Sequence, residues 1–569
     1  MILSPESQIR EYTEKGWWGT DTYVDLFLKN AQKTPNAVAV VDPPNRAELT
    51  TGAPLRLTYA ETQQAMDRLA GGLLEAGVKK DDIVMVQLGN TVELVIVYLA
   101  AARIGAIVSP LPIQYRTHEL RQVIAITEPK AFLTTTNFGG FNYVEMVRGL
   151  QPEFPSLKAV IALGEDLPDG VLSLTALLNS PRDDKPLNDY LAKTPITAND
   201  ITTICWTSGT EAEPKGVPRS HNLWIAIAYA SVDGCELDPG CNLLNPFPLV
   251  NMAAIGGMLV PWVLTGGKLV LHHPLALPVF LGQIKAEQIS YTVVPPALLN
   301  MLLMNTAILA NADISSIKNI GSGSAPLSPW MVSQWQEKYN IRVINIFGSN
   351  EGASFTSGPK EMPDPVQRAQ YFPRFGAPEY KWPSRVAAYM STKLVDPVTK
   401  NVITEPGLPG EMAIKGACIF AGYYQRPDLT QKAFDDGGYF YTGDLFEIAG
   451  EGTQLNSYRF VGRLKDLILR GGVNISSEEV ETLIQGHPKV AEVAVVGYPD
   501  QALGEKACAV IVPKKDQTVT LEEIVAFLKE KDIAAYKLPE RVLVVAALPR
   551  NPVGKILKRN LREQLHQAA

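Results

Sequence analysis

Short apolar runs alternate with longer amphipathic segments through most of the chain. Residues 82–88 (DIVMVQL) predict a buried strand, and residues 93–104 predict the helix that follows it. An earlier helix is predicted to open at residues 58–61 (TYAE) and to run toward Ala76. Alternation of this kind is typical of a parallel sheet covered by helices. The pattern predicts further strands at residues 107–108, 131–133, 159–162, 201–206, 268–271, 291–294 and 342–346.

A shorter, separate pattern follows the segment at residues 462–472, which is rich in glycine and charge. Residues 476–479 (SSEE) predict a capping box for a helix that reaches Ile484, and Thr520 is predicted to cap a helix that runs through Lys531. Strands are predicted at residues 490–496, 507–512 and 541–545. The predicted fold class is therefore α/β, with helix-covered sheets in a large N-terminal domain (residues 1–463) and a small α+β C-terminal domain (residues 464–569).

Composition narrows the class of protein. The chain has 569 residues, 46% of them hydrophobic and 20% charged, which fits a globular, enzyme-sized protein with a large core. Its net charge of −7 argues against a nucleic-acid partner, because nucleic-acid binders usually carry a basic excess.

Cysteines and targeting signals bear on the compartment. The five cysteines form no C-x-x-C pair, and the N-terminus lacks the features of a signal peptide, so we expect reduced thiols and a cytoplasmic protein. The histidines show no metal-ligand spacing. Residues 239–267 carry no charge and are long enough to span a bilayer, but prolines, asparagines and glycines interrupt them. We therefore expect a buried core element and no integral membrane segment.

A loop rich in small residues follows the predicted strand at residues 201–206. Residues 207–216 (TSGTEAEPKG) can turn backbone N–H groups, hydroxyls and a lysine toward a phosphate. The loop departs from the Walker pattern, because Lys215 precedes glycine rather than serine or threonine. Its acids, Glu211 and Glu213, oppose an anion. The predicted phosphate-binding residues are Thr207, Ser208, Gly209, Thr210 and Lys215.

Five further motifs follow in order: residues 321–326 (GSGSAP), 347–351 (FGSNE), 441–444 (YTGD), 462–466 (GRLKD) and 549–556 (PRNPVGKI). Together with the loop, this series resembles the adenylate-forming (ANL) superfamily, over nearly the whole chain from residue 16 to residue 562. The segments at residues 16–19 (GWWG) and 57–59 (LTY) are most similar to 2,3-dihydroxybenzoate-AMP ligases and cyclohexanecarboxylate-CoA ligases.

The resemblance implies a two-step reaction and an acyl-CoA synthetase-like fold with a mobile C-terminal domain. In the first step a carboxylate attacks the α-phosphorus of ATP, giving acyl-AMP and pyrophosphate with the help of Mg²⁺. The small domain then rotates, and a thiol such as that of CoA attacks the acyl carbonyl.

The resemblance also assigns roles to individual residues. Glu351 matches the family's Mg²⁺-binding acid, and Asp444 matches the acid that binds both ribose hydroxyls. Arg463 matches a catalytic arginine beside ribose and phosphate, and Lys465 falls at the hinge. Lys555 matches the catalytic lysine that bridges carboxylate, α-phosphate and ribose. Taken alone, Lys555 would be a surface lysine, and Asp444 would fit a turn residue and a ribose ligand equally well.

The remaining site residues are assigned in the same way. The glycines Gly471 and Gly472 either admit the pantetheine arm of CoA or form a plain turn. The acyl pocket is predicted from Asn251, Met252, Ala253, Gly256 and Gly323. Further ATP- or AMP-binding residues are Ser324, Ala325, Pro326, Asn345, Phe347, Gly348, Ser349 and Asn350.

Two departures from the family pattern matter. Glu211-Ala212 replace the usual Thr-Gly of the loop. Met252 stands where dihydroxybenzoate ligases have an asparagine that reads the ring hydroxyl, and it cannot make that strong hydrogen bond. The pattern therefore disfavours a hydroxybenzoate and favours a hydrophobic acid.

The first hypothesis is an AMP-forming acyl-CoA synthetase that uses ATP, Mg²⁺ and CoA on a hydrophobic carboxylic acid. Two alternatives stay open: an acyl-AMP ligase that loads a carrier-protein pantetheine, and a non-catalytic nucleotide-binding protein. The exact acid and the oligomeric state, with a homodimer as one option, are not readable from the sequence.

Overall fold

The computed structural model describes residues 1–207, 214–451, 454–470, 473–500, 502–531, 533–551 and 555–567. The chain divides into two compact units. The first is Met1–Ser391 with Lys415–Gly438, and the second is Thr392–Ile414 with Tyr439–Ala569. The boundary predicted after residue 463 concerns the body that moves during the reaction and stays a prediction.

Strands and helices alternate through the first unit and are mixed in the second. The strands are β1 (Val38–Val41), β2 (Arg56–Thr58), β3 (Ile83–Gln87), β4 (Ile107–Pro110), β5 (Ala131–Thr135), β6 (Asn137–Phe138), β7 (Phe141–Asn142), β8 (Ala159–Leu163), β9 (Val171–Ser173), β10 (Ile201–Thr207), β11 (Lys215–Ser220), β12 (Asn242–Asn245), β13 (Lys268–Leu271), β14 (Tyr291–Val293), β15 (Asn319–Gly323), β16 (Arg342–Gly348), β17 (Ser354–Ser357), β18 (Tyr371–Pro373), β19 (Met390–Val395), β20 (Val402–Ile403), β21 (Gly410–Gly416), β22 (Phe440–Glu451), β23 (Gln454–Arg463), β24 (Leu467–Arg470), β25 (Val473–Ser476), β26 (Val490–Asp500), β27 (Gly504–Pro513) and β28 (Arg541–Val544).

The helices are α1 (Glu6–Glu14), α2 (Tyr23–Lys33), α3 (Tyr59–Glu75), α4 (Val92–Arg103), α5 (Thr117–Thr127), α6 (Tyr143–Leu150), α7 (Leu174–Asn179), α8 (Lys185–Lys193), α9 (His221–Gly234), α10 (Met252–Ala254), α11 (Val260–Thr265), α12 (Leu277–Glu287), α13 (Pro296–Met304), α14 (Thr306–Ala310), α15 (Pro329–Tyr339), α16 (Pro365–Gln370), α17 (Val386–Tyr389), α18 (Pro427–Ala433), α19 (Ser477–Gln485), α20 (Leu521–Glu530) and α21 (Lys558–Gln567). A π-helical turn (Ile255–Leu259) joins α10 to α11.

Two largely parallel sheets form the first unit. One has the order β17-β16-β15-β14-β12-β13-β1-β2, and the other has the order β11-β10-β4-β3-β5-β8-β9. Helix side chains such as Phe280, Leu299 and Trp335 cover the first sheet, while Leu120 and Val147 pack against the second. The predicted α/β class with helix-covered sheets is confirmed.

The second unit carries a small sheet in the order β25-β24-β27-β26, with β28 beside β27. Successive side chains of β27 point to opposite faces, so Ala509 joins one core cluster and Cys508 joins the other. Helices α19 and α20 cover the first face. Leu561 and Leu565 of α21 cover the second face, and the sequence analysis did not predict this polar C-terminal helix.

The helix starts show how far local sequence decides local structure. Thr58 and Glu61 form the reciprocal capping box of α3, with Glu61 N donating to Thr58 Oγ1 at 3.2 Å. The box predicted at residues 476–479 is only half formed. Ser476 Oγ accepts from Glu479 N at 3.2 Å, but the Glu479 carboxylate binds Lys537 Nζ at 2.7 Å instead of closing the box. A long-range ion pair therefore replaces the local contact.

The uncharged stretch at residues 239–267 folds into β12, α10, the π-helical turn and α11. The apolar side chains Leu243, Leu259 and Trp262 are buried there. Across the part of the chain that the structure describes, no helix is long and apolar enough to cross a membrane. The expected core element is confirmed.

Arg46 pairs with two buried acids, Asp42 and Glu93, near the start of α4. Loss of this arginine is therefore expected to lower the stability of the fold strongly. The Arg46 guanidinium bonds Glu93 Oε1 at 2.7 Å and also pairs with Asp42, and all three residues are at most 3% exposed. We expect Arg46→Met to lower the free energy of unfolding of the first unit by about 3 to 5 kcal/mol, because two buried charges lose their partner.

Urea unfolding followed by tryptophan fluorescence measures this effect, since every tryptophan lies in the first unit. The control is Arg56→Met, which removes a more exposed pair with Glu287 and should cost less than about 1 kcal/mol. Equal effects of the two substitutions would contradict the prediction.

Candidate active site

Thr207 and Lys215 stand at the two ends of the predicted phosphate loop. Strands β10 and β11 pair antiparallel, and these two residues face each other in the last register position. The loop between them, with Ser208, Gly209 and Thr210, lies outside the described residues. The hairpin therefore fixes the base from which the loop starts and returns.

The motif at residues 347–351 leads from β16 into a tight turn before β17. Ser349 N donates to Ala353 O at 3.0 Å, and Gly352 N donates to Ser349 O at 3.1 Å. Gly352 has a φ of 117°, and a Cβ there would lie 2.0 Å from Cys418 O. Only glycine fits this position, because both the backbone conformation and the space exclude a side chain.

Glu351 is held at this turn and is 9% exposed. Its backbone oxygen accepts from Phe420 N at 2.9 Å, and its Oε1 accepts from the Tyr423 hydroxyl at 3.1 Å. Burial and the charge of Glu351 raise the pKa of Tyr423 well above its usual value. The hydroxyl therefore stays protonated and donates a hydrogen bond to Glu351. Glu351 forms no ion pair with any other residue that the structure describes.

Asn350 joins the two sheets beside Glu351. Its Oδ1 accepts from Met252 N at 2.9 Å, and its Nδ2 donates to Trp206 O at 3.3 Å. The side chain thereby links the end of β10, in one sheet, to the turn after β16, in the other. Its predicted contact with the nucleotide stays a prediction, but the contacts with the protein give it a bracing role.

Arg219 is a residue that the sequence analysis missed. It is fully buried in β11, and its guanidinium donates to Asn350 O at 3.0 Å and to Cys418 O at 2.9 Å. The guanidinium also lies 4.8 Å from the Trp224 ring centre. Burial lowers its pKa to about 10, which still leaves it charged near neutral pH. No local pattern marks this arginine, because its strand (KGVPRS) mixes polar and apolar residues.

Ser324, Ala325 and Pro326 are exposed in the loop directly after β15. Ser324 has a φ of 66°, which is uncommon for a residue other than glycine. Because β15 and β16 pair in parallel, with Gly323 opposite Ile346, this loop and the Glu351 turn leave the sheet at the same edge. The topology thus brings together two motifs that are separate in sequence.

Three other predicted nucleotide residues lie on the same strand and turn. Asn345 is buried, and its Nδ2 donates to Ala369 O at 2.9 Å. Phe347 packs with Phe355 at a ring distance of 5.8 Å. The Ser349 hydroxyl is buried and has no hydrogen-bond partner among the described residues. Among the described residues, no protein group therefore competes with a ligand for the Ser349 hydroxyl.

The predicted acyl-pocket residues lie around α10 and the π-helical turn. Asn251 Oδ1 accepts from Ala253 N at 3.1 Å and so caps α10. The Met252 side chain is buried, and a Cβ on Gly348 would lie 2.8 Å from its methyl carbon. Met252 therefore brings the predicted acyl pocket into contact with the predicted nucleotide strand.

The glycines of the predicted pocket allow close packing. Gly256 lies in the π-helical turn, where a Cβ would meet Ile227 at 2.7 Å and Trp224 at 3.1 Å. A Cβ on Gly323 would lie 2.0 Å from Ile346 O. Interruptions of this π-helical kind occur often at functional sites. Aromatic and aliphatic side chains thus surround this region.

The second unit brings Asp444 and Arg463 together. They face each other in the β22–β23 ladder, and Arg463 Nε lies 3.1 Å from Asp444 Oδ1. Asp444 is buried, and its backbone N–H donates to Thr442 Oγ1 at 3.1 Å. Gly443, with a φ of 71°, turns the strand just before it. The pairing of β22 with β23 is therefore sufficient to place these two side chains beside each other.

Lys555 belongs to the same cluster. Lys555 N donates to Asn551 Oδ1 at 2.8 Å, which anchors the lysine after residues 552–554, themselves outside the described residues. The side chain keeps an exposed surface, yet surrounding protein atoms reduce its hydration. This loss of hydration, together with the positive charges of Arg463 and Lys465, lowers the pKa of Lys555 to about 8.

Lys465 lies in a 3₁₀ turn (Leu464–Asp466) directly after β23. Its neighbour Asp466 is buried and bonds Arg562 Nη2 at 2.8 Å. Burial and the charge of Arg463 lower the pKa of Lys465. The predicted CoA residues, Gly471 and Gly472, lie outside the described residues.

The Glu351 turn, Tyr423 and Lys215 form a group in the first unit, called here the first-unit cluster. This cluster fits Mg²⁺ bound to a phosphate better than a metal site built by the protein alone. No group of three or more histidine, cysteine or acidic side chains that could hold a metal is found within the described ranges. Mg²⁺ usually takes one or two carboxylates and completes its shell with water and substrate phosphates. The buried Glu351 carboxylate is an oxygen ligand of this kind.

Comparison with known families agrees with the fold. The model of the AMP-binding enzyme family matches residues 27–424, and that of the AMP-binding enzyme C-terminal domain matches residues 479–555. The chain therefore belongs to the AMP-binding enzymes of the adenylate-forming superfamily, whose members are ATP-dependent ligases.

Individual relatives include both a CoA ligase and an AMP ligase. The chain is 30% identical to medium-chain fatty-acid–CoA ligase of Escherichia coli (strain K12), over 98% of this chain and 93% of the relative. It is 29% identical to 2,3-dihydroxybenzoate-AMP ligase of Bacillus subtilis (strain 168), over 99% and 97%. The structure of ATP-bound MatB from Rhodopseudomonas palustris aligns with a TM-score of 0.77 at 26% identity, covering 96% of this chain and 99% of that one.

The lowered pKa of Lys555 predicts unusual reactivity toward amine reagents. A lysine is charged and unreactive below its pKa and becomes nucleophilic above it. We expect labelling of Lys555 by a limiting amine reagent, followed by mass spectrometry over a pH series, to reach its midpoint near pH 8.

Replacing the neighbouring cation tests the cause. Arg463→Gln removes a positive charge and leaves Asp444 without that partner, and both changes should raise the labelling midpoint. A midpoint that stays the same in this variant would show that Arg463 does not set the pKa of Lys555.

Proposed function

We propose that this protein is an ATP- and Mg²⁺-dependent acid–thiol ligase that converts a hydrophobic carboxylic acid into acyl-AMP and then into its CoA thioester. The observation that carries the proposal is the convergence of Asp444, Arg463 and Lys555, which come from three separate motifs and form one charged cluster. A ribose-binding acid beside two cations suits a nucleotide whose phosphate is under attack.

In the first step, an oxygen of the substrate carboxylate forms a bond to the α-phosphorus of ATP, and the bond to pyrophosphate breaks. Thr207 and Lys215 bind the phosphates at the base of their loop. Glu351 supplies a carboxylate ligand for Mg²⁺, which neutralises phosphate charge when it is bound. Lys555 reduces the repulsion between carboxylate and phosphate, and Asp444 accepts hydrogen bonds from the ribose hydroxyls.

In the second step, a thiolate attacks the acyl carbonyl and AMP leaves with the electron pair of the acyl–phosphate bond. We assign the pantetheine path to Gly471 and Gly472, and the hinge to Lys465, with residues 464–569 as the moving domain. A protein of this kind works in the cytoplasm on small molecules and needs no nucleic-acid partner.

The surroundings of the acyl residues support a hydrophobic acid. Asn251 already uses its side-chain oxygen to cap α10, and Met252 offers only a weak acceptor. Trp224 and Ile227 pack against Gly256. An apolar ring or a modest aliphatic chain fits such a lining better than a hydroxylated ring.

Loading of a carrier protein is the second candidate. One observation favours it: the relatives at nearly equal identity include an AMP ligase as well as a CoA ligase. Both acceptors present the same pantetheine thiol, so the choice depends on the surface beyond the thiol.

An activity assay tests the proposed reaction directly. Purified protein should catalyse acid-dependent exchange between pyrophosphate and ATP with alicyclic, aryl or medium-chain acids, and added CoA should release AMP. Exchange without AMP release until a pantetheinylated carrier is supplied would select the second candidate. ATP binding without exchange for any acid would revive a non-catalytic protein.

A substitution of Lys555 tests whether this residue acts in the first step only. Lys555→Ala should lower acid-dependent exchange by a factor of about 100 or more, because the ammonium stabilises charge only in the first transition state. Thioester formation from supplied acyl-AMP should change by less than about threefold. Lys529→Ala, on the exposed side of α20, is the matched control and should leave both steps unchanged. Equal losses in both steps would contradict a role confined to the first step.

A further inference from the structure

The segment at residues 418–424 (CIFAGYY) contacts both the Glu351 turn and the start of strand β11, which carries Lys215. Phe420 N donates to Glu351 O at 2.9 Å, next to the close approach between Cys418 and Gly352. At its other end, Tyr424 N donates to Gly216 O at 2.9 Å, directly after Lys215. The segment therefore spans from the Glu351 turn to the exit of the phosphate loop.

Tyr423 projects from this segment onto the two charged groups. Its hydroxyl donates to Glu351 Oε1 at 3.1 Å, and Lys215 Nζ lies 5.5 Å from the centre of its ring. Phe420 packs edge-on against the same ring at 4.9 Å, which limits its movement. One aromatic side chain thus contacts the predicted metal ligand at its tip and the predicted phosphate lysine at its face.

The geometry has a direct consequence for the carboxylate. A hydrogen bond to one oxygen fixes the rotation of the Glu351 carboxylate, and the second oxygen is left for another partner. A buried carboxylate is costly without a compensating charge. In the described part of the chain no cation pairs with it directly, and the buried Arg219 acts on it only through a longer-range charge interaction. A cation that arrives with the phosphates supplies that charge.

We propose that Tyr423 is a positioning residue, which orients the Glu351 carboxylate toward the magnesium–ATP complex and sets its distance from Lys215. The inference rests on the proposed function, since it needs a magnesium-bound nucleotide at this cluster. It predicts an effect on ATP affinity that depends on magnesium. A merely structural role would affect binding of ATP with and without magnesium to the same extent.

Tyr423→Phe is the sharpest substitution, because it keeps the ring above Lys215 and removes only the hydroxyl. Isothermal titration with ATP is carried out once with saturating Mg²⁺ and once with a chelator. We expect the variant to bind ATP with Mg²⁺ on the order of tenfold more weakly than the wild type, as for a lost charge-assisted hydrogen bond. Binding without Mg²⁺ should stay within about twofold.

Tyr424→Phe is the matched control. Its hydroxyl accepts from Gln425 Nε2 at 3.3 Å, away from Glu351, and its backbone bond to Gly216 is kept. This variant should match the wild type in both titrations. Thermal melting of all three proteins without nucleotide checks that the substitutions leave the fold intact.

Each outcome decides between the hypotheses. Equal weakening with and without Mg²⁺, or no weakening in Tyr423→Phe, would overturn the role of Tyr423 while leaving the proposed function standing. Wild-type protein that lacks acid-dependent pyrophosphate exchange would overturn the proposed function itself. A loss confined to binding with Mg²⁺, absent from Tyr424→Phe, supports the positioning role.

Discussion

The first-unit cluster depends on one buried cation, the guanidinium of Arg219. Among the residues that the structure describes, it has no acidic partner at hydrogen-bonding distance; instead its N–H groups bind the carbonyl oxygens of Asn350, Leu223 and Cys418. A charge in such a place is stable only when several dipoles point at it. These contacts join strand β11, the Glu351 turn and the segment at residues 418–424. A substitution that shifts one of these three segments is therefore expected to shift the other two.

Parallel topology explains why this small region can gather distant motifs. The ends of β15 and β16 meet at one edge of their sheet, since the strands run in the same direction. Asn350 then reaches across to the end of β10 in the neighbouring sheet. Ligand sites of open α/β sheets commonly form beyond the carboxyl ends of the strands. The strands below these loops hold the ends of the loops in place.

Sequence patterns predicted the strands well because a buried strand of a parallel sheet is a short, nearly continuous apolar run. The segment at residues 268–271 coincides with β13, and that at residues 82–88 contains β3. Helix α21 was missed, since only Leu561 and Leu565 mark its buried side. The motif residues were recognisable as a set, whereas Arg219 and Tyr423 were not. Their importance comes from contacts across the fold, which no local pattern encodes.

In the proposed function, Lys555 must remain cationic and must lose its hydration easily, and the charge balance around it suits both requirements. Burial and two neighbouring cations lower the pKa to about 8, while Asp444 and Asp466 oppose that shift. With this pKa, about nine-tenths of the lysines are still charged at pH 7. A reduced hydration cost makes it easier for the ammonium to exchange water for phosphate and carboxylate oxygens. The acids Asp444 and Asp466 therefore help to keep the lysine charged, while the neighbouring cations favour loss of its proton.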